Sequence, residues 1–202
     1  MRETTPTRSV VLEMKDERRA MQEGYVFLDE KCLVLAREIL HGLGRYAALQ
    51  KRFDALHAAA IAALQAAVGR HGLEGLQVYP VAMLAGDCVK RTSRPLMGVR
   101  LQEAAWQSAE NAAPSSVVRS PEAEACRRCY EALLPCAAEL AAVSGNLERL
   151  RIEYRKSVRR ARALQDVLLP ELDQGLYEME QRLEELEQED AIWMRRGAAQ
   201  AR

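Results

Sequence analysis

The sequence predicts a mainly α-helical fold: a long antiparallel two-helix left-handed coiled coil with a small β-hairpin and loop region at its centre. The first observation is a heptad repeat of apolar residues in each half of the 202-residue chain. The second is the composition, because 29% charged and only 5% aromatic residues are typical of long helices. The third is that glycine and proline gather between the two repeats, where helices are expected to end.

The first long helix is expected over residues 8–68, where apolar residues recur in alternating steps of four and three. This seam runs from Met14 to Ala67, and only Arg18 and Gly42 interrupt it. A 3.5-residue repeat kept over so many turns indicates a left-handed supercoil with a partner helix, because the apolar stripe of a lone helix has a period of about 3.6.

The central region, residues 69–121, has no heptad pattern and ends in a loop rich in alanine, proline and serine. Two short apolar stretches, at 76–84 and 96–101, flank a basic segment that contains Lys90 and Arg91. We expect the stretches to form a β-hairpin or two weak strands, which would rest on the coiled coil or on a partner to be stable. Lys90 and Arg91 are candidate partner contacts.

The second long helix is expected over residues 122–196, followed by a short alanine-rich tail at 197–202. Its seam starts at Cys126 and keeps steps of three and four as far as Leu164. Two helices of similar length close most simply as an antiparallel pair. The predicted register places opposite each other those residues whose numbers add to about 190–196.

The seam changes its spacing beyond Leu164, where steps of four lead to Leu168, Leu172 and Leu176. Such a stutter locally unwinds a supercoil. Pro170 lies inside the stutter, where proline removes one helical hydrogen bond and crowds the preceding turn. We therefore expect a kink or a loosened turn near residues 166–170, centred on Pro170.

Charge and hydropathy limit the classes of function. A formal net charge of zero does not favour a nucleic-acid binder. No apolar run approaches the roughly 18–20 residues needed to cross a bilayer, so no direct membrane insertion is expected. The first residues are too polar for a signal peptide, which predicts a cytoplasmic protein with reduced cysteines.

Few residues suggest a chemical function. Cys126 and Cys129 form a CxxC string, which is compatible with a redox pair or half of a zinc site. Both cysteines occupy consecutive seam positions, and the three histidines have no ligand spacing, so packing within the coiled coil is the favoured interpretation. The sequence contains no phosphate-binding loop, catalytic triad or paired carboxylates, so we expect no cofactor, no metal and no catalytic residue.

Two further segments are candidate partner contacts. A basic stretch around Arg155 and Arg159 is compatible with a solvated helix face, a docking surface for an acidic partner, or a nucleic-acid contact. Ile192, Trp193 and Met194 give the end of the second helix apolar bulk. That bulk would suit burial against a partner or packing on the start of the first helix.

An acidic segment precedes this apolar end. Residues 178–190 carry seven acids against one base. In an antiparallel pair they would face the cations of the first helix, namely Arg8, Lys15, Arg18 and Arg19. Ion pairs between the two helices are the favoured role for the segment.

Both ends of the chain carry a pattern of residues that is not explained by the heptads alone. Pro6-Thr7-Arg8 and Gly24 lie at one end, and Glu153-Tyr154-Arg155-Lys156 with a leucine run up to Pro170 lies at the other. This pattern resembles the D subunit of V-type and A-type ATPases over both helices. The segment Lys31-Cys32-Leu33 departs from the Lys-Arg-Asp that is usual in that family.

The resemblance implies a central rotor shaft without a catalytic site, peripheral on the cytoplasmic face of a membrane. Both termini would reach into a hexamer of catalytic and non-catalytic subunits, A and B. The middle would join the F subunit of the stalk and a funnel-shaped subunit on the proteolipid ring. Such a shaft transmits torque between ATP hydrolysis or synthesis and translocation of H⁺ or Na⁺. The alternative is a structural coiled-coil adaptor or scaffold without a motor role.

Overall fold

The computed structural model describes residues 6–79, 89–107 and 120–200. The elements in chain order are α1 (Arg8–Gln77), β1 (Val89–Leu96), β2 (Val99–Trp106), α2 (Pro121–Ala163), a π-helical turn (Leu164–Leu168) and α3 (Leu169–Gln200). A mainly α-helical fold with a small central β-hairpin is therefore confirmed. The predicted loop at 111–119, part of the first predicted strand (80–84) and the end of the predicted tail lie outside the described residues.

The chain forms two compact units. The terminal unit contains the residues up to Val34 and those from Tyr154 onwards, and the central unit contains Leu35–Glu153. The sequence-based division of the chain into domains at residues 68, 121 and 196 stays a prediction.

Helix α1 begins where predicted and ends later than predicted. The Thr7 hydroxyl accepts a hydrogen bond from the Val10 N–H at 3.4 Å, as an N-cap residue does. Near the other end, Gly72 has φ 69° and ψ 169°, a conformation that essentially only glycine adopts. The helix resumes after this break and extends to Gln77, beyond the expected end at residue 68.

Within the terminal unit, α1 lies antiparallel to α2 and α3. Gly24 faces Leu164, and Met14, one heptad and a half nearer the N-terminus, faces Gly175. The residue numbers of each pair add to slightly less than the predicted register. The side chains of Val11 and Ala161 are buried in this unit.

Within the central unit, the same antiparallel arrangement holds α1 against α2. Gly42 faces Leu147, and the Cys136 thiol donates to the Leu49 carbonyl at 3.8 Å. Leu35 and Leu150 are fully buried, and each contributes about 1.5–3 kcal/mol of hydrophobic stabilisation. The predicted seam therefore supplies the core of this unit.

The start of α2 is fixed by a polar cluster in the central unit. Ser120 caps the helix by accepting the Ala123 N–H at 3.3 Å. The Glu122 carboxylate accepts a hydrogen bond from the Ser120 hydroxyl and pairs with Arg70 of α1. Hydrogen bonding to its own backbone N–H, and then to Arg70 and Ser120, lowers the pKa of Glu122.

The strands of the hairpin differ from those predicted. Strands β1 and β2 are antiparallel, and Leu96 pairs with Val99 across a two-residue turn in which Met97 and Gly98 have φ 45° and 86°. Positive φ at both central positions is the geometry of a tight hairpin turn. The basic segment with Lys90 therefore lies within a strand, whereas the sequence had suggested that it lies between two strands.

Candidate functional site

The hairpin is attached to α2 through one asparagine. The Asn146 side chain accepts the Gln102 N–H at 2.8 Å and donates to the Gln102 carbonyl at 2.6 Å, so it hydrogen-bonds β2 as a neighbouring strand would. Arg149 donates both to Asn146 at 3.0 Å and to the Gln102 side chain at 3.1 Å. On the α1 side, Arg94 pairs with Glu38. These bonds fix the hairpin on the helices of the central unit.

A cleft of 390 Å³ lies between the hairpin and these helices. Lys90 lines the cleft, and its neighbour Arg91 does not, because successive side chains of a strand point to opposite faces. The lining also contains Arg45, Glu103 and Glu139, so the cleft has no dominant sign of charge. Arg91 is exposed on the outer face of β1 and is the better placed of the two candidates for meeting a partner.

The basic stretch lies on α2 in the terminal unit. Arg155 and Arg159 are exposed, as are three further cations between residues 155 and 162. At about 100° per residue, the five side chains cover roughly 160° of the helix circumference. No ion-pair partner occurs for any of them within the described ranges. The stretch is therefore an unneutralised surface and not one half of an internal charge network.

A π-helical turn lies just before Pro170, and the kink of the helix at this proline stays a prediction. The Leu169 N–H bonds to the Leu164 carbonyl five residues back, instead of the usual four. Pro170 has no N–H and sits in the first turn of α3. The wider turn holds one additional residue immediately before the proline.

The π-turn corrects one predicted seam residue. Leu168 is 38% exposed, whereas Leu169 is half-buried and occupies the seam. The half-buried positions therefore follow Leu164 at steps of five, three and four, reaching Leu172 and Leu176. The predicted steps of four, four and four cover the same twelve residues but place Leu168 in the seam instead of Leu169.

The acidic segment of α3 pairs with α1. Among the described residues, three ion pairs join these helices: Arg8–Glu187 at 2.7 Å, Lys15–Glu180 at 2.7 Å, and Arg18–Asp173. The predicted partners are confirmed for Arg8 and Lys15. Arg18 pairs just outside the segment, and Arg19 pairs with Asp16 of its own helix at 3.6 Å. All are solvent-exposed, so solvent and salt screen these pairs and each contributes little to stability.

The apolar bulk near the end of α3 faces solvent. Ile192 is 50% exposed, Trp193 is 74% exposed and Met194 is 73% exposed. Packing of this segment on the start of α1, where Val11 is buried, stays a prediction. A tryptophan and a methionine held in water next to each other form an apolar surface that is available to a partner.

The cysteines have the environment of packed side chains. Cys126, Cys129 and Cys136 are free thiols that are buried or half-buried. Burial, and then the neighbouring Cys129, raise the pKa of the Cys126 thiol, whereas a reactive thiol needs a lowered one. Within residues 6–79, 89–107 and 120–200, no three His, Cys, Asp or Glu side chains come together in a group that could hold a metal.

Comparison with known proteins gives the family. The sequence model of the ATP synthase D subunit matches residues 10–196. The chain belongs to this family. The resemblance predicted from the ends of the sequence is confirmed, and it extends through the central unit.

Relatives in the ATP synthase D-subunit family align over nearly the whole chain. The V-type ATP synthase D subunit of Thermotoga neapolitana is 25% identical over 192 residues, which are 95% of each chain. The A-type ATP synthase D subunit of Thermococcus sibiricus is 25% identical, and that of Pyrococcus abyssi is 24% identical, each over 195 residues. Those two alignments cover 95% of this chain and 91% of the relatives.

All the candidate residues from the sequence fall inside the range that matches the D-subunit family. They lie on the hairpin (Lys90, Arg91), on α2 (Arg155, Arg159) and on α3 (Pro170, Ile192, Trp193, Met194). The structure brings together only neighbours on one element and assembles no single pocket from them. Among the described helices, none is long and apolar enough to cross a bilayer.

Proposed function

We propose that this chain is the rotor shaft in the central stalk of a V/A-type ATPase and transmits torque between ATP hydrolysis or synthesis and ion translocation. The observation that carries the proposal is the match to the D-subunit family over residues 10–196, which includes both helices of the antiparallel pair. An adaptor without a motor role would share the helices but not this match. The chain is a non-catalytic subunit that acts from the cytoplasmic face of the membrane.

The terminal unit is the part that contacts the hexamer of A and B subunits. Trp193 and Met194 bury their exposed surfaces against a sleeve of A and B subunits. Arg155 and Arg159, with the other cations of the basic stretch, meet acidic groups of that sleeve. Because these cations cover roughly 160° of α2, charge is available over a wide range of rotor angles.

The central unit contacts the other stalk components, the F subunit and the funnel-shaped subunit on the proteolipid ring. Arg91 on the outer face of β1 is available for such a contact, and Lys90 lines the cleft beneath the hairpin. The hydrogen bonds of Asn146 to β2 give the hairpin a fixed position, which a torque-bearing contact requires.

A cross-linking experiment tests the rotor proposal. In a background without cysteines, Trp193→Cys is joined to a cysteine on the facing hexamer subunit by a reducible disulfide within the purified complex. A rotor predicts that ATP hydrolysis stops on oxidation and resumes on reduction. Labelling the Trp193→Cys variant with a monofunctional maleimide is the control. Continued hydrolysis after complete cross-linking would exclude a rotating shaft.

The π-turn with Pro170 supplies local curvature to the shaft. A shaft that stresses three catalytic interfaces unequally needs an asymmetric shape, and an additional residue in one helix provides asymmetry. Pro170→Ala in the assembled enzyme is expected to change the ratio of ions transported to ATP hydrolysed. Unchanged coupling would count against a mechanical role for Pro170.

A further inference from the structure

An apolar face of α1 in the central unit is left uncovered by the described residues. It consists of Leu40, Leu43, Gly44 and Ala47 and is here named the Leu40 face. Leu40 is 70% exposed and Leu43 is 49% exposed, and the glycine and alanine beside them are also exposed. Adjacent large apolar side chains in water mark a contact surface.

The hairpin lies on the other side of α1 and cannot cover this face. Glu38, His41 and Arg45 line the cleft beneath the hairpin. Leu40, Leu43 and Ala47 each follow one of these residues by two positions, which is about 200° around the helix. The Leu40 face is therefore directed away from the hairpin.

Gly44 provides an independent observation. A Cβ atom at Gly44 would meet nothing within 4 Å, whereas at Gly42 it would lie 2.9 Å from the Leu147 Cδ2 atom. Packing among the described residues therefore explains Gly42 and does not explain Gly44. Glycine is disfavoured inside a helix relative to alanine, and it allows another backbone to approach closely. Gly44 would therefore let the backbone of a docked segment approach α1 closely.

Two cations lie beyond the two ends of the Leu40 face. Arg37 and Lys51 are exposed, and neither has an ion-pair partner in the described part of the chain. They are fourteen residues apart, about 21 Å along the helix. A partner that covers the face and also neutralises both cations is elongated, apolar in its middle and acidic toward its ends.

We propose that the Leu40 face docks an amphipathic α-helix of another subunit, with acidic residues near both ends of the contact. A helix fits because Leu40, Leu43, Gly44 and Ala47 have the three- and four-residue spacing that interlocks with the ridges of a second helix. The proposal names the chemistry of a partner for the central unit and rests on the proposed stalk function, which the disulfide cross-link at Trp193→Cys tests separately.

Photo-cross-linking in the purified ATP synthase complex tests the contact. p-Benzoylphenylalanine replaces Ala47 in the full chain, and the control variant carries it at Ala59, which is exposed on α1 but lies about 120° around the helix from Ala47. The expected result is an adduct from position 47 with a helical segment of another subunit that contains acidic residues, at least about tenfold stronger than from position 59. Equal yields, or an adduct with a second copy of this chain, would overturn the proposal.

A glycine pair distinguishes docking from folding. Gly44→Leu places bulk in the contact, whereas Gly69→Leu does so at a helical glycine elsewhere that also has nothing within 4 Å. Both substitutions should raise the melting temperature of the isolated chain by about 2–4 °C, since leucine favours helix over glycine. Only Gly44→Leu should remove the adduct at position 47. Loss of the position-47 adduct in both glycine variants, or in neither of them, would contradict the proposal.

Charge reversal tests the ends of the contact. Arg37→Glu together with Lys51→Glu should weaken the adduct at position 47 by about threefold or more, and raising the salt concentration should narrow this difference. If the adduct returns when the acidic residues of the mapped partner helix are replaced by basic ones, the proposed pairing of these acids with Arg37 and Lys51 is supported. An unchanged yield would show that the partner is not acidic at these positions.

Discussion

The π-turn at Leu164–Leu168 behaves as a one-residue insertion in an otherwise regular heptad seam. The half-buried residues after it, Leu169, Leu172 and Leu176, follow Leu164 at steps of five, three and four. Removing one residue between Leu164 and Leu169 would restore alternating steps of four and three. The turn is therefore expected to take up the additional residue without rotating α3 out of its contact with α1.

Deleting Leu168 tests this expectation, combined with Pro170→Ala so that a continuous α-helix can form. The deleted side chain is 38% exposed, so little buried area is lost. Replacing the π-turn by α-helix restores about one backbone hydrogen bond, which contributes roughly 0.5–1.5 kcal/mol. The free energy of unfolding should therefore stay within about 1 kcal/mol of the Pro170→Ala parent, or rise.

Deleting Gln174 in the same Pro170→Ala background is the matched control. Gln174 is exposed, but its removal rotates the following part of α3 by about 100°. Leu176, Met179 and Leu183, all half-buried, would leave the seam at a cost of roughly 2–5 kcal/mol. Urea unfolding of the full chain, monitored by circular dichroism at 222 nm, gives the free energy of unfolding of both deletion variants. A Leu168 deletion that destabilises the chain as much as the Gln174 deletion would show that the π-turn is not a one-residue insertion.

Three further outcomes are expected for the isolated chain. Gly69→Ala should raise the free energy of unfolding by about 1 kcal/mol. Gly42→Ala should raise it less or lower it, because a Cβ atom at residue 42 would lie 2.9 Å from the Leu147 side chain. Urea unfolding of the two variants compares these effects. Asn146→Ala removes both hydrogen bonds to the β2 backbone and should destabilise the hairpin by about 1–3 kcal/mol. Faster exchange of the hairpin amide protons measures this loss. Asn146→Asp cannot donate a hydrogen bond to the Gln102 carbonyl, so it should not restore slow exchange. The pKa of Glu122 is lowered in the folded state, so the ionised carboxylate stabilises the fold fully above the ordinary glutamate pKa and progressively less as the pH falls through the folded-state pKa. Glu122→Gln should therefore flatten the acidic part of the curve of unfolding free energy against pH. An unchanged curve would contradict the lowered pKa of Glu122.

The helices and their pairing could be predicted because the seam repeats one physical requirement many times. Each apolar residue from Met14 to Ala67 has to meet another on the opposite helix, so single exceptions do not obscure the pattern. The antiparallel direction followed from the similar lengths of the two helices, and the matching of charges between the helices followed from that direction. The confirmed pair Arg8–Glu187 shows that acids and bases were assigned to the correct ends.

The π-turn could not be predicted in detail, because the sequence offers two equivalent residues. Leu168 and Leu169 are both leucines, and either one completes the twelve-residue interval from Leu164 to Leu176. Spacing alone favours equal steps, and only backbone hydrogen bonding distinguishes a stutter from a π-turn. Pro170 was the usable signal, since a proline ring crowds the carbonyls of the turn before it.

The hairpin strands were assigned wrongly because β1 has almost no buried side chain. Its charged, proline-containing sequence is that of an exposed edge strand, and hydrophobic alternation cannot identify such a strand. The sequence signal for the turn was Gly98, which here adopts φ 86°. The clamp by Asn146 was also missed, because a polar residue on a helix gives no sign that it will hydrogen-bond a strand.

The charges of the terminal unit separate into two groups with different consequences. Arg8 and Lys15 are held by acids of α3, so an acidic partner would have to displace a bond that already exists. Arg155 and Arg159 have no such competitor among the described residues, although they lie in the same unit of the chain. An acidic partner therefore gains the full electrostatic attraction only from Arg155 and Arg159, and not from Arg8 and Lys15. Substitutions at Arg8 or Lys15 should therefore act on the stability of the chain, and substitutions at Arg155 or Arg159 on its assembly.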